Sequence, residues 1–154
     1  MLDSLLCFGN NIRILREDMN LSIAEFAKLA NYNRKGLSKL ELGEQDIKLD
    51  TAMRIARFVN RDFPCLFTDD FQLSGKDYYI ENDYYSIFVE NYKKKLFNKT
   101  QEYVADSIGI YSENFCRVLN KKVTPQISTL DRMADGIDET LASLFRRVGG
   151  EGKQ

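Results

Sequence analysis

Apolar residues recur three and four apart along most of the chain, which is the spacing of one face of a helix. Ile12 and Leu15 share a face of an opening helix that begins near Leu5. Ser22 suits an N-cap, and Ile23, Phe26, Ala27 and Ala30 form the inner face of a second helix. A third helix follows near Asn33 with Leu37 and Leu40 inward, and Gly43 is its stop. A fourth runs from about Asp50 through Ala52, Ile55, Ala56 and Val59, and a short last one carries Leu66 and Phe67 after Pro64.

Sliding the sequence by 78 positions repeats this series. Ala27 falls on Ala105, Thr51 on Thr129, Arg54 on Arg132, Ala56 on Ala134, and Leu66 and Phe67 on Leu144 and Phe145. Thr100 takes the place of Ser22, Gly109 of Asn31, Phe115 of Leu37, and Val118 of Leu40. Apolar positions stay on apolar positions over a long ungapped stretch, so the pattern predicts a diverged internal duplication. Between the copies the period changes. Residues 70–82 hold two short runs around Ser74 and Gly75, enriched in aromatic and β-branched residues, which predicts a β-hairpin. The expected fold is mainly α: two tandem helical bundles, 1–69 and 83–148, joined by a hairpin at 70–82 and followed by a frayed tail at 149–154.

Composition narrows the function. Hydrophobic residues make up 44%, enough for a core, and two prolines in 154 residues agree with helices. No apolar run approaches the ~18 residues of a membrane span. The start of the chain lacks a basic segment and a cleavage site, so no secretory signal is expected. Cys7, Cys65 and Cys116 are scattered and odd in number, which predicts free thiols in a reducing cytoplasm. The chain has no histidine, which excludes Ser-His-Asp and Cys-His catalysis. No nucleotide loop, metal cluster or paired nucleophile and base is legible, so no enzyme, metal or cofactor is expected. Net charge is −1, so any nucleic-acid surface must come from local clustering of Lys and Arg.

The spacing within each copy supplies such a cluster. Two closely crossing helices need a small residue mid-way along the first, and Ala27 and Ala105 provide it. Four residues later a sharp turn favours a residue tolerant of left-handed backbone; Asn31 and Gly109 stand there. The next helix then buries residues three apart.

The stretches Asn11–Glu17, Leu21–Ala27 and Leu37–Glu44 resemble the Cro/C1-type (XRE-like) helix-turn-helix family. The resemblance covers residues 8–67 well and 88–146 more loosely. The first copy departs from the pattern at Ile23, often glutamine in the family, and the second lacks the Glu-x-Gly exit, with Leu119 and Lys121 there. The resemblance implies that the second helix of each motif enters the major groove of double-stranded DNA. In the first copy it places Asn33, Arg34, Lys35, Ser38 and Lys39 at base edges, with Gly36 permitting close approach or merely tolerated. In the second it places Tyr111, Ser112, Glu113, Asn114 and Arg117 there, with Asn120, Lys121 and Lys122 beyond. Gln101 could touch backbone or base, and Ser22 and Thr100 cap helix ends whose N–H groups can bind phosphate.

The resemblance also implies a monomer with an internal pseudo-twofold, a homodimer remaining possible, reading an imperfect palindrome or two unlike half-sites. Its cellular role would be transcriptional repression. The layout is similar to TraN-like accessory proteins of Gram-positive conjugative plasmids, which would instead mark a transfer origin on a mobile element. A competing reading is a protein-interaction module, an antitoxin or adaptor, whose second motif has degenerated.

Other features read as structure. Lys93, Lys94, Lys95 and Lys99 form a solvated face. Arg146 and Arg147 would balance a helix carboxyl terminus. Tyr78, Tyr79, Tyr84, Tyr85 and Phe88 would pack between the two units rather than stack on bases.

Overall fold

A computed structural model describes residues 3–74 and 80–147. Its elements are α1 (Ser4–Asp18), α2 (Ile23–Leu29), α3 (Arg34–Glu41), α4 (Leu49–Val59), a 3-10 turn (Phe63–Phe67), α5 (Tyr84–Leu96), α6 (Gln101–Ser107), α7 (Ser112–Leu119), α8 (Ile127–Asp135) and α9 (Leu141–Leu144). No helix among the described residues is long and apolar enough to cross a membrane.

Polar side chains start most of these helices. Asp3 accepts from the Leu6 amide, Asp83 from Ser86, Thr100 from Tyr103 and Thr140 from Ser143, each satisfying one amide that the helix itself leaves free. The last short helix of the first unit is a 3-10 turn, with Pro64 at its start.

Residues 78 apart hold like positions. Asn31 and Gly109 both have positive φ (57° and 74°), as do Gly43 and Lys121, and Asn60 and Asp138. Tyr32 donates its amide to the Ala27 carbonyl at 2.8 Å, and Ile110 donates to Ala105 at 2.9 Å. Asn11 is buried on α1 and donates to the Leu66 and Thr68 carbonyls at 3.0 and 2.9 Å. Asn91, buried on α5 and 80 positions after Asn11, does the same for Leu144 and Arg146 at 2.9 and 2.7 Å. Each asparagine thus ties the first helix of its unit to the end of the last.

The two units share one core. Phe63 meets the Phe145 ring at 4.7 Å between centroids, and Phe67 meets it at 5.6 Å. Tyr84 packs on Phe63 across the units, as expected for the central aromatic group, while Phe88 packs on Phe145 within the second unit. Tyr85 donates its hydroxyl to the Val118 and Val123 carbonyls, and burial pushes its pKa up to about 12. Tyr78 and Tyr79 lie outside the described residues.

A reciprocal backbone pairing crosses between the units. Leu49 donates to the Pro125 carbonyl at 2.8 Å, and Ile127 donates to the Ile47 carbonyl at 2.8 Å, so Lys48 and Gln126 face each other in an antiparallel bridge. Asp46 strengthens the junction by accepting from the Ser128 hydroxyl and from its amide at 3.2 Å. Ser4 of α1 donates to Asp131 of α8 at 2.8 Å.

Two expectations need correction. Among the described residues of 70–82 no strand forms; Gly75 of the expected Ser74–Gly75 turn, and residues 76–79 of the second run, lie outside them. Phe71 lies under the Arg61 guanidinium, 4.6 Å from the ring centroid, and Arg61 donates to the Gln72 carbonyl at 3.2 Å. These contacts draw 71–72 onto the first unit as a loop instead of leaving its backbone to a partner strand. Arg147 is also no simple helix-end charge: it bridges Asp62 at 3.1 Å and Glu81 at 3.3 Å, joining the end of the second unit to the first.

Candidate nucleic-acid interface

The first unit builds its outer surface on α2, a sharp turn and α3. Ser22 and Glu25 form a reciprocal capping box: the Ser22 amide donates to the Glu25 carboxylate at 2.9 Å, and the Glu25 amide donates to the Ser22 hydroxyl oxygen at 3.1 Å. The same bonds hold the Glu25 carboxyl below its ordinary pKa. Asn31 takes the left-handed conformation that reverses the chain, and Arg54 braces the turn by donating to the Asn31 carbonyl at 2.9 Å.

α3 then divides cleanly by polarity. Leu37 and Leu40 are fully buried, while Arg34, Lys35, Ser38 and Lys39 are exposed on the other side. Lys28, exposed near the end of α2, adds a cation the sequence reading passed over. It sits one position after the small residue Ala27, and that outward place is the signal.

Two residues of α3 act differently from expectation. The Asn33 side chain accepts from the Gly36 amide, so its oxygen caps the helix. Gly36 is buried, and a Cβ there would stand 2.7 Å from that capping oxygen. A larger residue at 36 would therefore have to displace the capping side chain.

A buried ion pair fixes α3 from behind. Arg16 of α1 grips Glu41 with two bonds, Nε to Oε2 at 2.6 Å and Nη2 to Oε1 at 3.0 Å, and gives Nη1 to the Leu21 carbonyl at 2.8 Å. The pairing with Glu41 holds the guanidinium pKa above its usual value. Both side chains are nearly buried, at 12% and 5% exposure, so the pair links α1, the entry to α2 and the end of α3 in one fixed geometry.

The second unit has the same backbone order and a different face. Thr100 caps α6, but Tyr111, in the place of Asn33, makes no side-chain cap and is 82% exposed. Ser112, Glu113, Asn114 and Arg117 are exposed on α7, with Phe115 and Val118 buried behind them. Glu113 and Arg117 bind each other at 2.8 Å. Lys121 turns toward the start of α5, donating to the Ser86 hydroxyl and standing 3.7 Å from Asp83. Asn120 donates to the Cys116 sulfur at 3.2 Å, Lys122 is exposed, and Gln101 is half-buried at the start of α6. Arg117 and Lys121, expected as DNA donors, are thus each paired with a carboxylate at the surface.

The geometry of α1–α4 now meets the comparison with known proteins. Residues 12–64 match the helix-turn-helix family. The matched stretch runs from the middle of α1 to the 3-10 turn and includes all of α2, α3 and α4. No curated protein and no solved structure matches the chain.

Proposed function

We propose that the chain is a sequence-specific double-stranded DNA-binding regulator that inserts α3 into the major groove. The observation that carries this reading is the exposed row Arg34, Lys35, Ser38 and Lys39 on a helix locked from behind by Arg16 and Glu41, inside the helix-turn-helix match. Arg34 suits the paired acceptors of guanine, and Lys35 and Lys39 suit guanine or phosphate.

The proposal includes an internal pseudo-dimer with domains at 1–69 and 83–148. The reciprocal bonds of Leu49 with Pro125 and Ile127 with Ile47 support it, because such an exchange is what a twofold relation produces. The two faces differ in sequence, so the site is an imperfect palindrome or two unlike half-sites. Transcriptional repression and marking of a conjugative transfer origin both use this chemistry. Footprinting separates them: protection over a promoter supports the first, and protection beside a nicking sequence supports the second.

Selection from random duplexes, followed by gel shifts of Arg34→Ala and Lys39→Ala, tests the reading. Unchanged affinity of both variants for the selected site would remove α3 as the reader. A second reading, a protein-interaction role for the second unit, is favoured by the internal pairing of Arg117 and Lys121.

A further inference from the structure

We propose that the groove between α6 and α7 docks a lysine- or arginine-bearing segment of a partner protein. The inference deepens the protein-interaction reading of the second unit and is independent of what α3 binds. The groove encloses about 860 Å³ and is lined by residues including Glu102, Tyr103, Asp106, Tyr111 and Ser112.

Several of its side chains reverse the charge found in the first unit. At positions 78 apart, Ala24 becomes Glu102, Lys28 becomes Asp106, Asn33 becomes Tyr111 and Lys35 becomes Glu113. Carboxylates thus replace Ala24, Lys28 and Lys35, while a cation is kept at Arg117 and gained at Lys122, so the acidic part of this face is the α6 side that lines the groove. Tyr103 is 64% exposed and Tyr111 82% exposed, so two large rings stand in water beside these acids.

Rings and carboxylates together define the occupant. A cation is attracted to the face of a tyrosine ring and forms charge-assisted bonds to a carboxylate. A side chain that also offers an aliphatic stem covers the ring while its charged head reaches the acid, and Lys and Arg have that shape. Exposed tyrosines are enriched where proteins meet one another. A cationic protein segment satisfies both features; nucleic acid satisfies only the rings.

Chemical-shift mapping on the full chain tests this with two probes. One is a soluble peptide alternating Lys and Arg with Ser and Leu, beside a matched peptide carrying Glu in place of the cations. The other is a mixed-sequence DNA duplex. The expected result is saturable shifts at residues 102–113 with the cationic peptide and none with the acidic one. Asp106→Lys should weaken the peptide about tenfold by reversing a charge that lines the groove. Tyr103→Ala with Tyr111→Ala should weaken it about threefold or more, which charge alone would not produce.

Peptide shifts scattered over acidic residues throughout the chain, or indifferent to these substitutions, overturn the proposal. Duplex shifts on α7 as large as those on α3 also overturn it and make the second unit a DNA reader. Peptide shifts that persist while the duplex leaves α3 unmoved support it and count against the DNA reading alone.

Discussion

Gly9 of α1 lies directly against the backbone of Leu40 in α3: a Cβ at position 9 would stand 1.8 Å from the Leu40 carbonyl oxygen and 2.8 Å from its carbon. Neither atom belongs to a side chain that can swing aside. Gly9→Ala must therefore push α3 outward, costing about 3 kcal/mol by the usual penalty of overpacking. For a chain of this size that lowers the melting temperature by roughly 9 °C. Urea or thermal unfolding measures it, and a variant as stable as the parent would show that the helices do not cross this closely.

Arg34 and Lys35 should fail in different ways on DNA. If Arg34 grips a guanine, Arg34→Ala costs about 1–3 kcal/mol on the selected site and relaxes preference at one base pair. If Lys35 meets phosphate, Lys35→Ala weakens all duplexes alike and lowers the salt slope by about 0.9. Both side chains are exposed and neither is in the core, so unfolding midpoints should stay unchanged. Titrations at several salt concentrations, on selected and scrambled duplexes, distinguish the two behaviours.

What was readable in the sequence follows from the range of the interactions. Ser22, Thr100, Asn31 and Gly109 do local work, capping a helix or turning the chain within a few residues, and their types announce it. Leu37 and Leu40 announce burial through their spacing. Asn11 and Asn91 gave no such signal, because each serves carbonyls more than 50 residues away. Burial of Glu41 gave no local signal either, since its partner Arg16 lies 25 positions earlier. Asn33 shows a double use that its type does not resolve: asparagine suits both an N-cap and an adenine, and the structure shows the cap. The hairpin failed because aromatic enrichment marks burial as readily as pairing, and Phe71 found a guanidinium instead of a strand.

Asp131 should make the protein less stable at neutral pH than an uncharged residue would. Burial raises its carboxyl pKa, the charges of Asp135 and Asp3 add to the rise, and the bond from Ser4 opposes it. A carboxyl whose folded pKa lies above its unfolded one contributes stability in acid, and that contribution is lost as pH climbs through the folded value. Asp131→Asn keeps an oxygen for Ser4 and sheds the charge. The residue is only half-buried, so the expected gain at pH 7 is under about 1 kcal/mol after allowance for solvent screening. The gain should vanish as the solution nears pH ~4, where the unfolded carboxyl also takes up its proton. Urea midpoints of parent and variant across this range check the sign; a variant weaker than the parent at neutral pH would contradict it.

The junction between the units should respond to Asp46 alone. Its carboxylate accepts from the Ile47 amide at 2.9 Å and from the hydroxyl and amide of Ser128, so one side chain holds both arms of the Lys48–Gln126 bridge. Asp46→Ala leaves those donors without an acceptor, at a cost of about 1–3 kcal/mol. The loss should be local at first, because Phe63, Phe67 and Phe145 still join the two units through the shared core. The amides of Leu49 and Ile127, which donate across the junction, should exchange with solvent faster, while Tyr32 and Ile110, bonded within their own turns, should keep their protection. Hydrogen exchange resolved by residue reads this directly. Equal acceleration at all four amides would mean that Asp46 supports the whole fold, and no acceleration at Leu49 and Ile127 would mean that the bridge stands without it.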